Sequence, residues 1–180
     1  MKWKTISSEY INKHPYFTAR KDVCVTGNNK PVDAYFVVEM PESVTALAIT
    51  EDGKAIFVKQ YRHPVEDILL ELPGGFIDEG ETPEQGIRRE LLEETGYAFN
   101  EIVQVGKIAA NPGVLNNYTF LFLATGGKKI AEQVFDPHED IEIVFVPFDE
   151  VIMLLKENKI PQSLHAACVF YSLLRMEKLI

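Results

Sequence analysis

The stretch Gly74–Tyr97, GGFIDEGETPEQGIRRELLEETGY, decides the fold of this chain. Thr82-Pro83-Glu84-Gln85 predicts a helix start, with Thr82 as N-cap, Pro83 at the first helical position and Gln85 closing a capping box. Gly96 predicts a left-handed C-terminal residue that ends the helix. Between these signals the sequence leaves room for a helix of about three and a half turns.

Two carboxylates of this helix point to chemistry. Glu90 and Glu94 are four residues apart, so they project from one side. Gly86 lies one turn earlier on that side, where it leaves room for a loop backbone such as that of Gly74-Gly75. Neighbouring carboxylates repel unless a cation joins them, and Mg²⁺ is bound by one or two carboxylates, waters and phosphates. An isolated glutamate cluster of this kind is more often a solvated helix face.

The other faces of the helix have structural roles. Arg89 and Glu93 are also four apart, and this spacing predicts an ion pair on the helix surface. Ile87 and Leu91 form an apolar stripe that predicts packing against a sheet.

Composition and charge narrow the class of protein. A length of 180 residues suits one domain of ordinary size, and the net charge of −9 argues against nucleic-acid binding. The chain has neither a membrane-spanning apolar run nor a signal peptide, which favours a cytoplasmic protein without a membrane partner. Cys24 and Cys168 lack the spacing of a zinc site, so we interpret both as small apolar residues.

The remaining pattern predicts many strands and few helices. The predicted strands are Trp3–Tyr10, Tyr16–Val25, Asp33–Val38, Val44–Thr50, Ala55–Gln60, Ile68–Leu72, Ile102–Ala109, Tyr118–Ala124 and Ile141–Val146. Turns are predicted at Gly27-Asn28-Asn29 and at Asp52-Gly53, and the closing helices at Asp149–Glu157 and Ser163–Lys178, the latter capped by Ser163. This pattern predicts a mixed α+β fold, or an α/β/α sandwich. We expect residues 1–42 to form a small N-terminal β layer and residues 43–180 the main domain.

The segment resembles the Nudix box in its spacing. That motif reads Gly, five residues, Glu, seven residues, Arg-Glu, apolar, any, Glu-Glu, any, Gly, apolar. The matching positions are Gly75, Glu81, Arg89, Glu90, Leu91, Glu93, Glu94, Gly96 and Tyr97. At the last of these positions an aliphatic residue is more usual than a tyrosine. The resemblance implies an α/β/α sandwich with a mixed sheet. It also implies hydrolysis of a pyrophosphate by a water that a bound metal ion activates.

The resemblance assigns roles to residues of the box. It implies that Glu90 and Glu94 are Mg²⁺ ligands, with Mn²⁺ as an alternative metal, and that the carbonyl of Gly74 is a third ligand. Glu93 and Arg89 belong to the catalytic group, Glu93 supporting the metal site directly or through Arg89. Structural roles are implied for Gly75, Glu81 and Gly96, since Glu81 and Arg89 would lock the loop to the helix.

Beyond the box, the chain is similar to the branch that hydrolyses ADP-ribose and nucleoside diphosphate sugars. The similarity lies in Gln60-Tyr61-Arg62, in Pro112, in a late acidic loop and in the N-terminal β layer, which dimerises in relatives. The loop after Pro112 lacks an acidic residue common in ADP-ribose enzymes, which favours a sugar nucleotide such as GDP-mannose as a competing substrate. Within Asp136–Glu142 we choose Glu139 as general base or additional metal ligand.

Several residues have two interpretations. Arg62 contacts the nucleobase or a phosphate, or covers apolar neighbours at the surface. Asn116 and Asn117 bind substrate beside Pro112, or only form a turn. His138 and His165 receive no metal role. Tyr16, Phe17 and Tyr35 are expected to pack in a core rather than stack on a base.

The expected activity is release of a nucleoside monophosphate and a sugar phosphate by a homodimer. The alternatives are a Nudix hydrolase of nucleoside triphosphates or dinucleotides, and an inactive ligand sensor. The complete set of box glutamates argues against the sensor.

Overall fold

The computed structural model describes residues 1–14, 17–134 and 140–178. The chain forms two compact units, one of Met1–Pro41 with Ala109–Tyr118, the other of Glu42–Ile108 with Thr119–Ile180. The elements are β1 (Lys4–His14), β2 (Phe17–Val25), β3 (Pro31–Glu39), β4 (Ser43–Thr50), β5 (Lys54–Arg62), β6 (Asp67–Glu71), α1 (Pro83–Thr95), β7 (Tyr97–Ile108), β8 (Thr119–Lys129), β9 (Ile141–Pro147), α2 (Val151–Lys156) and α3 (Ser163–Arg175).

The first unit is an antiparallel sheet of β1, β2 and β3 in that order. The predicted turn between β2 and β3 is confirmed, because Asn29 is left-handed (φ 61°) and its N–H donates to the Thr26 carbonyl at 3.0 Å. The segment Ala109–Tyr118 belongs to this unit through backbone hydrogen bonds, one of them from Val38 N–H to the Val114 carbonyl at 2.8 Å.

The first unit leaves much apolar surface open. Every residue of β1 is exposed, and Trp3, Tyr10, Phe17 and Phe36 each expose 45–56% of their surface. The prediction that Phe17 packs in a core is therefore wrong: it lies at the hairpin end of β2, where little chain covers it. Tyr35 is half-buried, and its hydroxyl donates to the Gly113 carbonyl at 2.9 Å, while Tyr16 lies outside the described residues.

The second unit is built on a mixed sheet. Its strands run β6-β5-β4-β8-β7, and β9 also pairs with β5. The β4–β8 pair is parallel and the other pairs are antiparallel. The hairpin predicted at Asp52-Gly53 joins β4 and β5, since Gly53 is left-handed (φ 77°) and donates to the Thr50 carbonyl at 3.0 Å.

Helices cover both faces of this sheet, as the side chains of β4 show. Alternate residues of a strand point to opposite faces. On one face Val44 and Ala46 pack with Ile87 and Leu91 of α1. On the other, Leu47 and Ile49 of β4 pack with the α3 side chains Cys168, Val169 and Leu173, and with Val151 of α2. The predicted sandwich and the apolar stripe of α1 are both confirmed.

Several predicted boundaries differ from the structure. Strand β7 begins at Tyr97, five residues before its predicted start, because it follows Gly96 directly. The segment predicted as a helix from Asp149 begins as a 3₁₀ turn over Phe148–Glu150 before α2. Ser163 is not the cap of α3: Gln162 is, and its side-chain oxygen accepts from Leu164 N–H at 2.6 Å. Ser163 is instead the first helical residue.

Both cysteines are buried and free, as the sequence interpretation requires. Among the described residues, none of the helices has the length and apolar character that crossing a bilayer demands.

Candidate active site

Helix α1 begins and ends as its sequence predicts. The Thr82 side chain accepts from Gln85 N–H, the Gln85 side chain accepts from Thr82 N–H at 2.8 Å, and Pro83 is the first helical residue. Gly96 has φ 75° and donates to the Leu92 carbonyl at 2.8 Å. A side chain at Gly96 would also overlap the Ala131 carbonyl, because the end of the helix packs directly against the segment that follows β8.

The segment after β6 changes its hydrogen-bond partner from β5 to β4. Its last pair with β5 joins Glu71 to Val58, and the next contacts are with β4. Pro73 accepts from Ala46 N–H at 3.1 Å, and Gly75 accepts from Val44 N–H at 2.9 Å. The backbone of Gly74-Gly75 is therefore held at the edge of α1 by the sheet itself.

Glycine is needed at both positions of this pair, for different reasons. Gly74 has φ 148°, and a Cβ there would overlap the backbone of Val44 and Thr45. A Cβ on Gly75 would overlap the carboxylate of Glu90. The structure thus brings the Glu90 carboxylate directly onto the loop.

Glu94 reaches the same loop from the next turn of the helix. Its Oε2 accepts a hydrogen bond from Gly74 N–H at 2.8 Å, and the residue is only 5% exposed. The carboxylates of Glu90 and Glu94 therefore converge on Gly74-Gly75, as predicted. A loop does pass close to Gly86, as expected, but its nearest residues are Ile77 and Glu81 and not Gly74-Gly75. Gly86 admits the far part of the loop, whereas Gly75 itself makes room for Glu90.

Arg89 is the centre of an ion-pair network. Its Nε and Nη2 donate to both oxygens of Glu81 at 2.9 and 3.0 Å, and its Nη1 donates to Glu90 at 2.9 Å and to Glu93 at 3.0 Å. Its Nη2 also donates to the Phe76 carbonyl at 2.9 Å. The predicted pair with Glu93 and the predicted lock between loop and helix are both present.

This network also sets local electrostatics. The hydrogen bond from Arg89 is the largest influence on the Glu81 carboxyl, and it holds the pKa of that group below its usual range. In return, Glu81 is the largest of the influences that raise the pKa of Arg89. The guanidinium is thus fully charged and fixes the positions of three carboxylates.

The donor chemistry of the site fits a hard divalent cation. Glu90, Glu94 and the Gly74 carbonyl offer oxygen atoms only, the type of ligand that Mg²⁺ and Mn²⁺ prefer. Within residues 1–14, 17–134 and 140–178, no three His, Cys, Asp or Glu side chains form a metal cluster. A cation bound here would complete its shell with water and substrate oxygens, as Mg²⁺ commonly does.

The sequence and fold match known families over nearly the whole chain. Residues 40–168 match the model of the NUDIX domain. The chain belongs to the Nudix family. Residues 3–38 match the model described as the nucleoside diphosphate sugar hydrolase N-terminal domain. The predicted Nudix pyrophosphatase class is thereby confirmed.

Known proteins that are similar to this chain support its assignment to the Nudix family. An ADP-ribose pyrophosphatase of Bacillus subtilis is 32% identical over 136 residues, which are 75% of this chain and 74% of that protein. A GDP-mannose pyrophosphatase of Yersinia enterocolitica is 30% identical over 117 residues, 61% of each chain. A crystal structure of an ADP compounds hydrolase has the same fold, with a TM-score of 0.85 at 20% identity over 99% of this chain and 98% of that one.

Arg62, which the sequence assigns to substrate, holds a buried carboxylate in the Nudix domain. Its Nε and Nη2 donate to the two oxygens of Glu71 at 3.0 and 2.5 Å. Glu71 is fully buried, and the Gln60 amide also approaches it at 3.5 Å. No role for Glu71 follows from its sequence position, although a charge inside the apolar run Ile68–Leu72, just before Pro73-Gly74, is unusual.

The predicted substrate residues after the box lie in the first unit. Pro112 is exposed in a turn where Leu115 N–H donates to the Asn111 carbonyl at 2.8 Å. Asn116 accepts from Met40 N–H at 2.9 Å, and Asn117 donates to the Pro41 carbonyl at 2.8 Å. Both asparagines thus tie this turn to the end of β3, and contact with substrate stays a prediction.

The predicted general base, Glu139, lies outside the described residues, as do Asp136 and His138. Of the neighbouring acidic residues, Asp140 directly precedes β9 and Glu142 lies within it, and both are exposed. The choice within this loop stays a prediction.

Proposed function

We propose that this protein hydrolyses the diphosphate bond of ADP-ribose or of a nucleoside diphosphate sugar such as GDP-mannose, with Mg²⁺ or Mn²⁺ as cofactor. The products are a nucleoside monophosphate and a sugar phosphate. The observation that carries the proposal is the convergence of Glu90 and Glu94 on the Gly74-Gly75 backbone. The N-terminal family match and the similarity to an ADP-ribose and a GDP-mannose pyrophosphatase support a diphosphate linked to a sugar.

The chain's own residues hold the site in place before substrate arrives. Gly74 N–H fixes one oxygen of Glu94, and Arg89 fixes Glu90 and Glu93 from the other side. A divalent cation held by Glu90, Glu94 and the Gly74 carbonyl would neutralise the diphosphate and lower the pKa of a bound water. Preorganised carboxylates of this kind avoid a reorganisation cost during the reaction.

A substrate panel tests the reaction. ADP-ribose, GDP-mannose, UDP-glucose, diadenosine polyphosphates and ATP are each incubated with Mg²⁺, and products are resolved by chromatography. We expect hydrolysis of ADP-ribose and at least one nucleoside diphosphate sugar, and little of ATP. Faster cleavage of ATP than of every diphosphate-linked compound favours the triphosphate alternative. A lack of hydrolysis throughout favours the sensor.

Two matched glutamates test the metal site. Glu94→Gln keeps the size of the side chain but removes a charge at the proposed ligand, and we expect kcat to fall by about 10²–10³-fold. Glu84 lies on the same helix, and its charge pairs with Arg88 at the surface. Glu84→Gln is therefore the control, with near-normal kcat expected. Equal kcat in both variants at saturating Mg²⁺ contradicts the assignment.

We further propose Glu139 as general base. Glu139→Gln should lower kcat by about 10²–10⁴-fold with little change in KM, because a base acts mainly in the transition state. Asp136→Asn and Glu142→Gln are the comparison variants. A silent Glu139→Gln together with a strong effect of either comparison moves the role to that residue.

We propose that the protein is a homodimer through its N-terminal layer. Strand β1 is exposed along its whole length and carries Ile6, Tyr10 and Ile11, and such a strand is stabilised by pairing or by being covered. Light scattering at micromolar concentration should give twice the mass of one chain. A stable monomer contradicts the proposal. A truncated protein that starts at Pro41 should be poorly soluble, because it also lacks the residues that Ala109–Tyr118 contacts within the first unit.

A further inference from the structure

The segment Glu71–Gly75, which delivers the backbone to the proposed metal site, is anchored at every residue. The anchors are Arg62 on the Glu71 carboxylate, His165 on Leu72 N–H, Ala46 N–H on the Pro73 carbonyl, Glu94 on Gly74 N–H and Val44 N–H on the Gly75 carbonyl. Four of these partners belong to the sheet or to α1. The fifth, His165, comes from α3 on the opposite face of the sheet.

His165 meets the segment where it changes strand partners. The pairing with β5 ends at Glu71, and the hydrogen bonds to β4 begin at Pro73. Leu72 lies between them and is 1% exposed, so water does not reach its N–H. The Nδ1 atom of His165 accepts that N–H at 3.2 Å. A buried backbone donor without a partner is costly, and the imidazole removes that cost at this point.

The protonation state of His165 suits this role. Burial is the largest influence on the imidazole and lowers its pKa to about 4, so the ring is neutral at physiological pH. Because Nδ1 accepts the Leu72 N–H, the ring proton lies on Nε2. The Glu71 Oε2 is 3.8 Å from Nδ1, which is beyond hydrogen-bond distance. Leu72 is thus the donor that orients the ring.

We infer that His165 is a positioning residue of the active site: from the far face of the sheet it fixes the Leu72 backbone and thereby the Gly74 carbonyl and the Gly74–Glu94 hydrogen bond. The inference rests on the proposed function only in taking Gly74 and Glu94 as metal ligands. Only Pro73 lies between Leu72 and Gly74, and it is buried and hydrogen-bonded through its carbonyl to Ala46 of β4, so this stretch has little freedom to absorb a shift. Partners that orient metal ligands typically change metal affinity by about 10–100-fold when lost.

Two substitutions at His165 separate positioning from plain packing. His165→Asn keeps a hydrogen-bond acceptor near the place of Nδ1, whereas His165→Leu keeps apolar bulk but removes the acceptor. Val169→Ala is the control. Val169 lies one turn later on α3 and is fully buried in the core, but the hydrogen bond to Leu72 N–H comes from His165. All three are compared in the full-length protein by thermal unfolding.

The readouts are Mg²⁺ affinity by calorimetry and amide hydrogen exchange at Leu72–Gly75 in the metal-free protein. We expect His165→Leu to weaken Mg²⁺ binding by about 10–100-fold and to speed exchange at these amides. His165→Asn should stay within about threefold of the unsubstituted protein in Mg²⁺ affinity. Val169→Ala should lower the unfolding temperature but leave Mg²⁺ affinity unchanged. If His165→Leu is insoluble, His165→Gln, which moves the acceptor away from the Nδ1 position, takes its place.

Unchanged Mg²⁺ affinity and exchange in His165→Leu, despite a lower unfolding temperature, overturns the inference. Equal losses in His165→Leu and Val169→Ala do so as well, because they mean that stability alone controls the site. The substrate panel on the unsubstituted protein tests the proposed function separately, so failure of the hydrolysis proposal is distinguished from failure of the positioning role.

Discussion

The substitution Gly75→Ala tests whether the loop and the Glu90 carboxylate fit together as closely as the structure shows. An added Cβ would lie 2.7 Å from the Glu90 Cδ and 2.9 Å from its Oε2. Unstrained carbon contacts need about 3.5 Å or more, so the carboxylate has to move by roughly 0.5–1 Å. A misplacement of about 1 Å in a catalytic constellation costs on the order of 10²-fold in rate. We therefore expect kcat of Gly75→Ala to fall by about that factor.

The matched control is Gly80→Ala in the same loop. Gly80 has φ 88°, but an added Cβ would meet no atom within 4 Å. This variant should lose stability, by about 1–2 kcal/mol in urea unfolding, because an alanine in the left-handed region is strained. Its kcat on ADP-ribose with Mg²⁺ should stay near normal. The reasoning is refuted if Gly75→Ala keeps more than about a third of the normal kcat, or if Gly80→Ala loses as much activity.

Three further predictions follow from the electrostatics and the loop. The pKa of Glu81 is held below its ordinary 4.5, so its pairing with Arg89 stabilises the fold above that pH and is lost as the pH falls through the folded-state pKa. In Glu81→Gln, the free energy of unfolding in urea should therefore fall less steeply with decreasing pH in this acidic range. Since His165 titrates near 4 in the fold rather than 6.5, the unfolded state takes up its proton first, and stability should fall by about 3 kcal/mol from pH 6.5 to 4, a loss absent from His165→Asn. If Asn116 contacts the sugar, Asn116→Ala should change the ratio of kcat/KM for ADP-ribose and GDP-mannose. An unchanged ratio leaves it a turn residue, bonded to Met40.

The parts of the site that short spacing determines could be predicted from the sequence. The cap at Thr82, the end at Gly96 and the shared face of Glu90 and Glu94 all depend on residues within one or two helical turns. The Nudix spacing then extended the prediction to the Arg89–Glu81 lock, which the structure contains.

Contacts between distant residues were beyond the sequence. Helical spacing predicts that a loop passes Gly86, but the geometry of the loop decides that Ile77 and Glu81, and not Gly74-Gly75, lie nearest to it. The bond from Leu72 to His165 spans 93 residues, and no local pattern marks it. The sequence predicts Ser163 as the cap of α3, but the longer amide side chain of Gln162 accepts the helix N–H groups instead, one residue earlier.

The charge of the site explains how an acidic protein can act on an anionic substrate. Arg89 is one cation shared among the carboxylates of Glu81, Glu90 and Glu93, and Glu94 brings a fourth carboxylate to the same loop. The centre therefore remains negative, in a chain whose net charge is −9. A diphosphate would be repelled by these carboxylates alone. Under the proposed function, attraction to the substrate would come from the bound cation, so the two glutamates that repel the diphosphate in the metal-free protein would recruit it through that cation.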